Sequence, residues 1–372
     1  MMHMSMRWFG QSQDSVTLEQ IRQIPGMEGV ITALHEIPVG EVWSFDEVAK
    51  RKAEVEKAGL KVLGIESINV HEDIKYGDKN RDELIDKYIK SLEAVGQNDI
   101  HLVCYNFMPV FDWTRTDLAQ RLEDGSTALA FDGDVIEGLS ADEMFDRIAN
   151  SSNGFEMPGW ELSRRDEITA QIKKFQGMTC DELRVNFKYF LDAIMPTCEK
   201  YNIKMGVHPD DPSFDLFGIP RITKCEDDLI KIAQMNDSPC NGFSLCTGSL
   251  GSNVNNNLPA IIRNPIIGKR IHFAHVRNVL HTGHHQFHES SHVSHTGSLD
   301  LYEIVKALVE VGFNGIIRPD HGREIWGELA RPGYGLFDRA LGATYLIGLE
   351  EAIRKSKNMP YPDNINSVTA PL

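Results

Sequence analysis

The chain has 372 residues, 41% hydrophobic and 25% charged, which is ordinary globular usage with apolar mass enough for a sizeable core. Its formal net charge of -16 argues against nucleic acid as a main partner, since phosphates need basic surface, but a few local cations or a metal can still receive a small anion. No uncharged apolar run approaches the roughly 18–20 residues of a membrane helix, and no basic-then-apolar leader opens the chain; no membrane partner, a cytoplasmic location and six reduced cysteines are therefore expected.

Short β-branched or aromatic runs alternate along the chain with helical patterns that open at Ser, Thr or Asp caps. The first expected strand, Arg7–Phe9, is very short and precedes a helix over 17–24. Gly29–Leu34 is followed by a helix over 46–57, and Lys61–Ile68 by one over 81–96. After Ile100–Phe107 come about 70 residues (110–179) with helical patterns of their own near 141–149 and 162–175. That is too long for a plain loop and reads as a helical lid or subdomain inserted over one end of the fold. The helix over 180–202 is the clearest, with Leu183, Phe187, Phe190, Leu191 and Ile194 forming an apolar stripe at helical spacing. Lys204–His208, Gly242–Cys246, Arg270–Val276 and Gly315–Pro319 complete the strands, each followed by a helix, over 226–236, 256–266, 299–311 and 337–355. Eight strand–helix units are the count of a closed parallel (β/α)8 TIM barrel of the α/β class. With no Pro/Ser-rich linker in view, one elaborated domain over 1–372 is expected.

In such barrels the active site is built at the C-terminal ends of the strands. Four consecutive expected strands end in a potential metal ligand: His208, Cys246, His275 and Asp320. Imidazole, thiolate and carboxylate are the side chains that hold divalent transition metals. Each alone is weak evidence, because a lone strand-end His is more often structural and a lone Cys a small buried hydrophobe. At equivalent positions on neighbouring strands they converge on one point. His272 and His275 lie three apart on one strand and so face opposite sides; His275, nearer the C-terminal end, is the expected ligand and His272 a wall residue. The histidine-dense stretch 281–295 matches no zinc spacing and reads as a loop over the site. There is no phosphate loop, no dinucleotide fingerprint and no nucleophile elbow.

Thr32–Pro38 with Gly40–Trp43, His71–Lys75, the long run Cys104–Thr116, His208–Pro212, Cys246–Ser249 and Arg318–Gly322 together resemble the motifs of mannonate dehydratases, in kind and in order. The resemblance runs from Arg7 to about Glu351. It implies a xylose-isomerase-like barrel that dehydrates D-mannonate to 2-keto-3-deoxy-D-gluconate in hexuronate breakdown. Carried over, the family's metal ligands fall on the same four residues, and its catalytic candidates on His321 and Tyr334. The metal it implies is manganese (Mn2+), with iron (Fe2+) as competitor, whereas ligand softness alone suggests zinc or ferrous iron.

The chemistry fits. Loss of water across C2–C3 of a 2,3-dihydroxy acid needs a base for the C2 proton, an acid for the departing C3 hydroxide and an electrophile for the charge that builds up. His321 and Tyr334 are the expected acid–base pair, the direction of each left open; His321 could instead orient Asp320. Arg277 and Arg323 are candidates for the substrate carboxylate, or else rim ion-pair residues. Asn106, Trp113 and Arg115, just past the fourth strand, are candidates to line a sugar pocket, with Trp113 alternatively a lid anchor. The expected partner is a small anionic sugar acid, with a homodimer unsurprising. A sugar isomerase or epimerase and a non-catalytic sugar-acid sensor are the rival readings; a carboxylate-rich site would favour the first.

Overall fold

The computed structural model describes residues 1–138, 141–155 and 162–362. Within them the strands are β1 (His3–Arg7), β2 (Gly29–Thr32), β3 (Lys61–Glu66), β4 (Leu102–Tyr105), β5 (Asp117–Arg121), β6 (Thr127–Asp132), β7 (Lys204–Val207), β8 (Asn241–Cys246), β9 (Ile271–Val276), β10 (Asn278–Gly283), β11 (Gln286–Ser290) and β12 (Ile316–Pro319). Eight of them close into a parallel barrel in the order β1-β12-β9-β8-β7-β4-β3-β2. The eight expected strands and the eight expected helices all have counterparts, with ends shifted by a few residues.

The first strand is a correction. It runs over His3–Arg7, not Arg7–Phe9, with Met4 paired to Ile317 and Met6 to Val30. Methionine is unbranched and carries little strand preference, so the run is inconspicuous in sequence. Burial from Met4 to Arg7 between two neighbouring strands selects it.

Two apolar layers hold the barrel. Ile31, Leu102, Cys104 and Phe273 pack together, one layer of the filled interior. A much larger cluster joins the outer strand faces to the helices, where Leu183, Phe187, Phe190, Leu191 and Ile194 of helix Cys180–Lys200 are all buried. Capping boxes start this helix at Thr179 with Glu182, and helix Phe45–Lys57 at Ser44 with Glu47.

The stretch 110–179 is not purely helical. Besides helices Ala141–Ser151 and Arg165–Phe175 it contributes β5 and β6. These join the hairpin β10–β11, cut from the histidine-dense stretch, in an antiparallel sheet ordered β10-β11-β6-β5. Phe287 pairs with Phe131 across that sheet. Leu129, Phe131, Phe145, Ile168, Phe175, Val279 and Phe287 belong to a core of its own. Pairing partners more than 150 residues apart (Gln286 with Asp132) leave no local signature, and the strands are short.

Candidate active site

Four neighbouring strand ends shape the site. His208 follows β7, Cys246 and His275 lie in β8 and β9, and Asp320 follows β12. Strand register sets Cys246 and Arg318 on either side of His275. Donor atoms of His208, Cys246 and His275 come within 4.8 Å of one another. The Cys246 sulfur lies 3.5 Å from Asp320 Oδ2, and His275 Nδ1 lies 3.8 Å from Asp320 Oδ1. Ser249 donates to the Cys246 sulfur from its hydroxyl at 3.0 Å and from its backbone N–H at 3.4 Å. Asp320 is also gripped by Arg318 (2.6 Å) and by Arg277 (2.8 Å). Burial alone would raise its carboxyl, but Arg318, with His321, His275 and Arg277, holds it well below the usual carboxylate range. His272 stands apart, its Nδ1 2.8 Å from the Met205 carbonyl.

Beside this cluster lies a second group. His321 is buried, with Nε2 3.0 Å from the Tyr334 hydroxyl and Nδ1 3.2 Å from Glu289 Oε1. Trp113 meets the His321 ring edge-on at 5.7 Å. Burial, and then the Asp320 carboxylate, push the Tyr334 phenol well above its ordinary value, so it keeps its proton.

One cleft is lined by His208 and Asp320 of the first group and by His321 and Tyr334 of the second, with Asn106 and Trp113; Cys246 and His275 are fully buried and do not line it. The three arginines expected to bind substrate do not line it. Arg115 and Arg277 are fully buried in a charge network: Arg115 holds Asp211 (2.8 Å) and Glu289 (2.9 Å), and Arg277 holds Asp211 (2.6 Å), Glu289 (2.6 Å) and Asp320. Arg323 is turned to Asp338 and Asp124. For Arg277 and Arg323 the ion-pair alternative describes their surroundings. The cations that do line the cleft are Arg7, Arg318 and Arg331. Arg318 lies against both Glu66 oxygens, at 2.9 and 3.0 Å; the buried Nη1 of Arg7 stands 3.8 Å from Glu66 Oε2 and has no hydrogen-bond partner. Asp112, next to Asn106 and raised by burial, adds a carboxyl. Nothing in the local pattern marks Arg7 or Glu66, beyond their places at the C-terminal ends of strands. Of the stretch 281–295 no histidine lines the cleft; Glu289 is the residue that reaches His321.

The family model for D-mannonate dehydratase (UxuA) matches residues 2–360. The chain belongs to the D-mannonate dehydratase family. It is 53% identical over 354 residues to a mannonate dehydratase of Brachyspira hyodysenteriae, covering 95% of this chain and 99% of that one. A mannonate dehydratase of Thermotoga maritima is 51% identical over 358 residues, covering 96% and 99%. The crystal structure of mannonate dehydratase from Streptococcus suis serotype 2 superposes with a TM-score of 0.89 at 42% identity, with both chains covered in full. A D-tagatose 3-epimerase-like protein, 11% identical with a TM-score of 0.53 over 96% of this chain and all of that one, shares the fold alone.

The donor set of this D-mannonate dehydratase family member suits one divalent cation. Ligands at roughly 2.0–2.3 Å from a common ion lie within about 3–4.6 Å of each other, close to the observed spread. His275 Nε2, on the other side of the ring from the 3.8 Å contact of Nδ1 with Asp320, lies 3.5 Å from Glu66 Oε2.

Proposed function

We propose that this protein dehydrates D-mannonate to 2-keto-3-deoxy-D-gluconate, a step of hexuronate breakdown, with a divalent cation held by His208, Cys246, His275 and Asp320. The observation that carries the reading is a cleft lined by the His321–Tyr334 pair and by His208 and Asp320, which in turn belong to a convergent Cys/His/Asp cluster. In this reading the ion is manganese (Mn2+), with iron (Fe2+) second. When bound there, such an ion would polarise the substrate carboxylate and an adjacent hydroxyl and offset the charge left by proton removal.

The protein's own groups would do the rest. Arg7 offers the cleft an unsatisfied donor and a planar fork, which suits the substrate carboxylate better than the buried Arg277. Asn106 and Trp113 would line the polyol side. His321, through Nε2, would take the C2 proton, and Tyr334, whose phenol keeps its proton, would deliver one to the C3 oxygen as the C–O bond breaks. The proton on His321 then returns to Tyr334 across their 3.0 Å contact, so both groups end as they began and one water is released. The enol left behind ketonises at C2. The sheet and helices drawn from 110–179 and 278–290 would act as a lid that keeps bulk water from the cleft.

A cytoplasmic location and a homodimer go with this reading, to be checked by fractionation and light scattering. Trp326 and Leu329, 75% and 80% exposed, supply apolar surface for the second. Among the described residues no helix is long and apolar enough to cross a membrane. The test of the reading as a whole is reconstitution of metal-free protein with Mn2+ or Fe2+ and D-mannonate. Release of a 2-keto-3-deoxy acid is expected; interconversion of sugars, or no product with any divalent ion, refutes it.

A further inference from the structure

We infer that Glu289 is a positioning residue for proton transfer: it orients the ring of His321 so that Nδ1 carries the hydrogen and Nε2 the lone pair. The inference rests on the acid–base role of His321 given above. Glu289 lies in β11, on the hairpin that leaves the barrel after β9, and is fully buried. Its Oε1 sits 3.2 Å from His321 Nδ1. An ionised carboxylate can only accept, so Nδ1 must donate. In the neutral ring Nε2 is then an acceptor, and the Tyr334 hydroxyl at 3.0 Å donates to it. One carboxylate thereby sets the direction of both hydrogen bonds, leaving Nε2 able to receive a proton.

Charge balance alone does not account for Glu289. Arg115 keeps a two-pronged contact with Asp211 at 2.8 and 3.1 Å, and Arg277 keeps Asp211 at 2.6 Å and Asp320 at 2.8 Å. Both arginines therefore hold carboxylates without Glu289. His321 Nδ1 has no other hydrogen-bond partner among the described residues. The arginines act in the other direction: Arg277 Nη1 holds both Glu289 oxygens, at 2.6 and 2.7 Å, so the carboxylate that orients His321 cannot itself swing.

Two measurements test this. Neutron diffraction from the manganese-loaded protein should find a deuteron on His321 Nδ1 and one on the Tyr334 oxygen directed at Nε2. A neutral ring protonated on Nε2 instead overturns the inference whatever any variant does. In a double-mutant cycle with D-mannonate, Glu289→Gln should lower kcat about tenfold to a hundredfold, the usual worth of such an outer partner, with KM and bound manganese little changed. In the His321→Asn background the same change should cost nothing further, because its only route to the chemistry is gone. An equal loss in both backgrounds, or a loss that tracks depleted manganese, makes Glu289 structural and overturns the inference while leaving the acid–base reading intact. Full turnover by His321→Asn alone overturns both.

Discussion

His321 Nε2 lies 3.0 Å from the hydroxyl of Tyr334, thirteen residues further along the chain. A backbone clasp brings them together: the Gly322 N–H donates to the Gly333 carbonyl at 2.9 Å. Gly333 has φ +80°, and a Cβ there would come within 2.7 Å of Leu129 Cδ1, so the position favours glycine. Leu129 belongs to β6, so a strand of the antiparallel sheet sits against the turn that aims the tyrosine.

If Tyr334 is the acid, Tyr334→Phe removes the phenolic proton and little else. Turnover should fall by about 10² to 10⁴, the usual range for one positioned acid or base, with bound metal near normal. Exchange of the C2 hydrogen with deuterated solvent should persist in this variant and disappear in His321→Asn. Undiminished turnover would reduce the tyrosine to a wall of the cleft.

Cys246→Ser should lose metal and activity together, on the order of a hundredfold or more, while the fold survives. Serine keeps nearly the volume and the Ser249 contacts, but its hydroxyl does not ionise as the thiol does. Metal analysis beside circular dichroism decides the matter: wild-type metal content and turnover are incompatible with a ligand role.

The two histidines of β9 should behave oppositely. His272→Gln keeps a donor for the Met205 carbonyl and should bind metal almost as wild type. His275→Gln should abolish metal binding. The reverse result would mean that the inward and outward faces of β9 are exchanged.

Arg7→Lys keeps the charge beside Glu66 but replaces the fork with a point charge. KM for D-mannonate should rise about tenfold to a hundredfold, the worth of a charge-assisted hydrogen bond, with a smaller change in kcat. Steady-state kinetics at fixed metal are sufficient, and an unaltered KM would falsify the carboxylate role.

Burial alone would raise the Glu289 carboxyl, but Arg277, His321 and Arg115 bring it down to about 2 from an ordinary 4.5. A lowered carboxyl contributes stability that is fully present above the unfolded value and is lost as pH falls from about 4.5 toward 2. The shift corresponds to roughly 3 kcal/mol. Urea unfolding at several pH values should show the wild type losing stability through this window more steeply than Glu289→Gln, which has no carboxyl to protonate. Parallel pH profiles for the two proteins would contradict it.

The barrel and the convergence of its candidate ligands were legible in the sequence because both follow from local patterns. Strand alternation decides which of His272 and His275 faces the site, and His208, Cys246, His275 and Asp320 announce themselves as strand ends. The capping boxes at Thr179 and Ser44 mark helix starts for the same reason, since cap and partner are three residues apart. Other features depend on partners distant in the chain. Arg115 and Arg277 look like sugar-pocket residues until Glu289 and Asp211, 174 and 66 residues away respectively, bury them in ion pairs. Arg7 looks like the start of the first strand until the closed barrel makes it that strand's end, with a donor left over for the cleft. The sheet β10-β11-β6-β5, and with it the approach of Glu289 to His321, exists only because a hairpin after β9 folds back onto strands inserted after β4. An arginine has the same local pattern whether it meets a carboxylate or a cavity; only burial by distant segments, and the cost of leaving a charge unpaired there, separates the two.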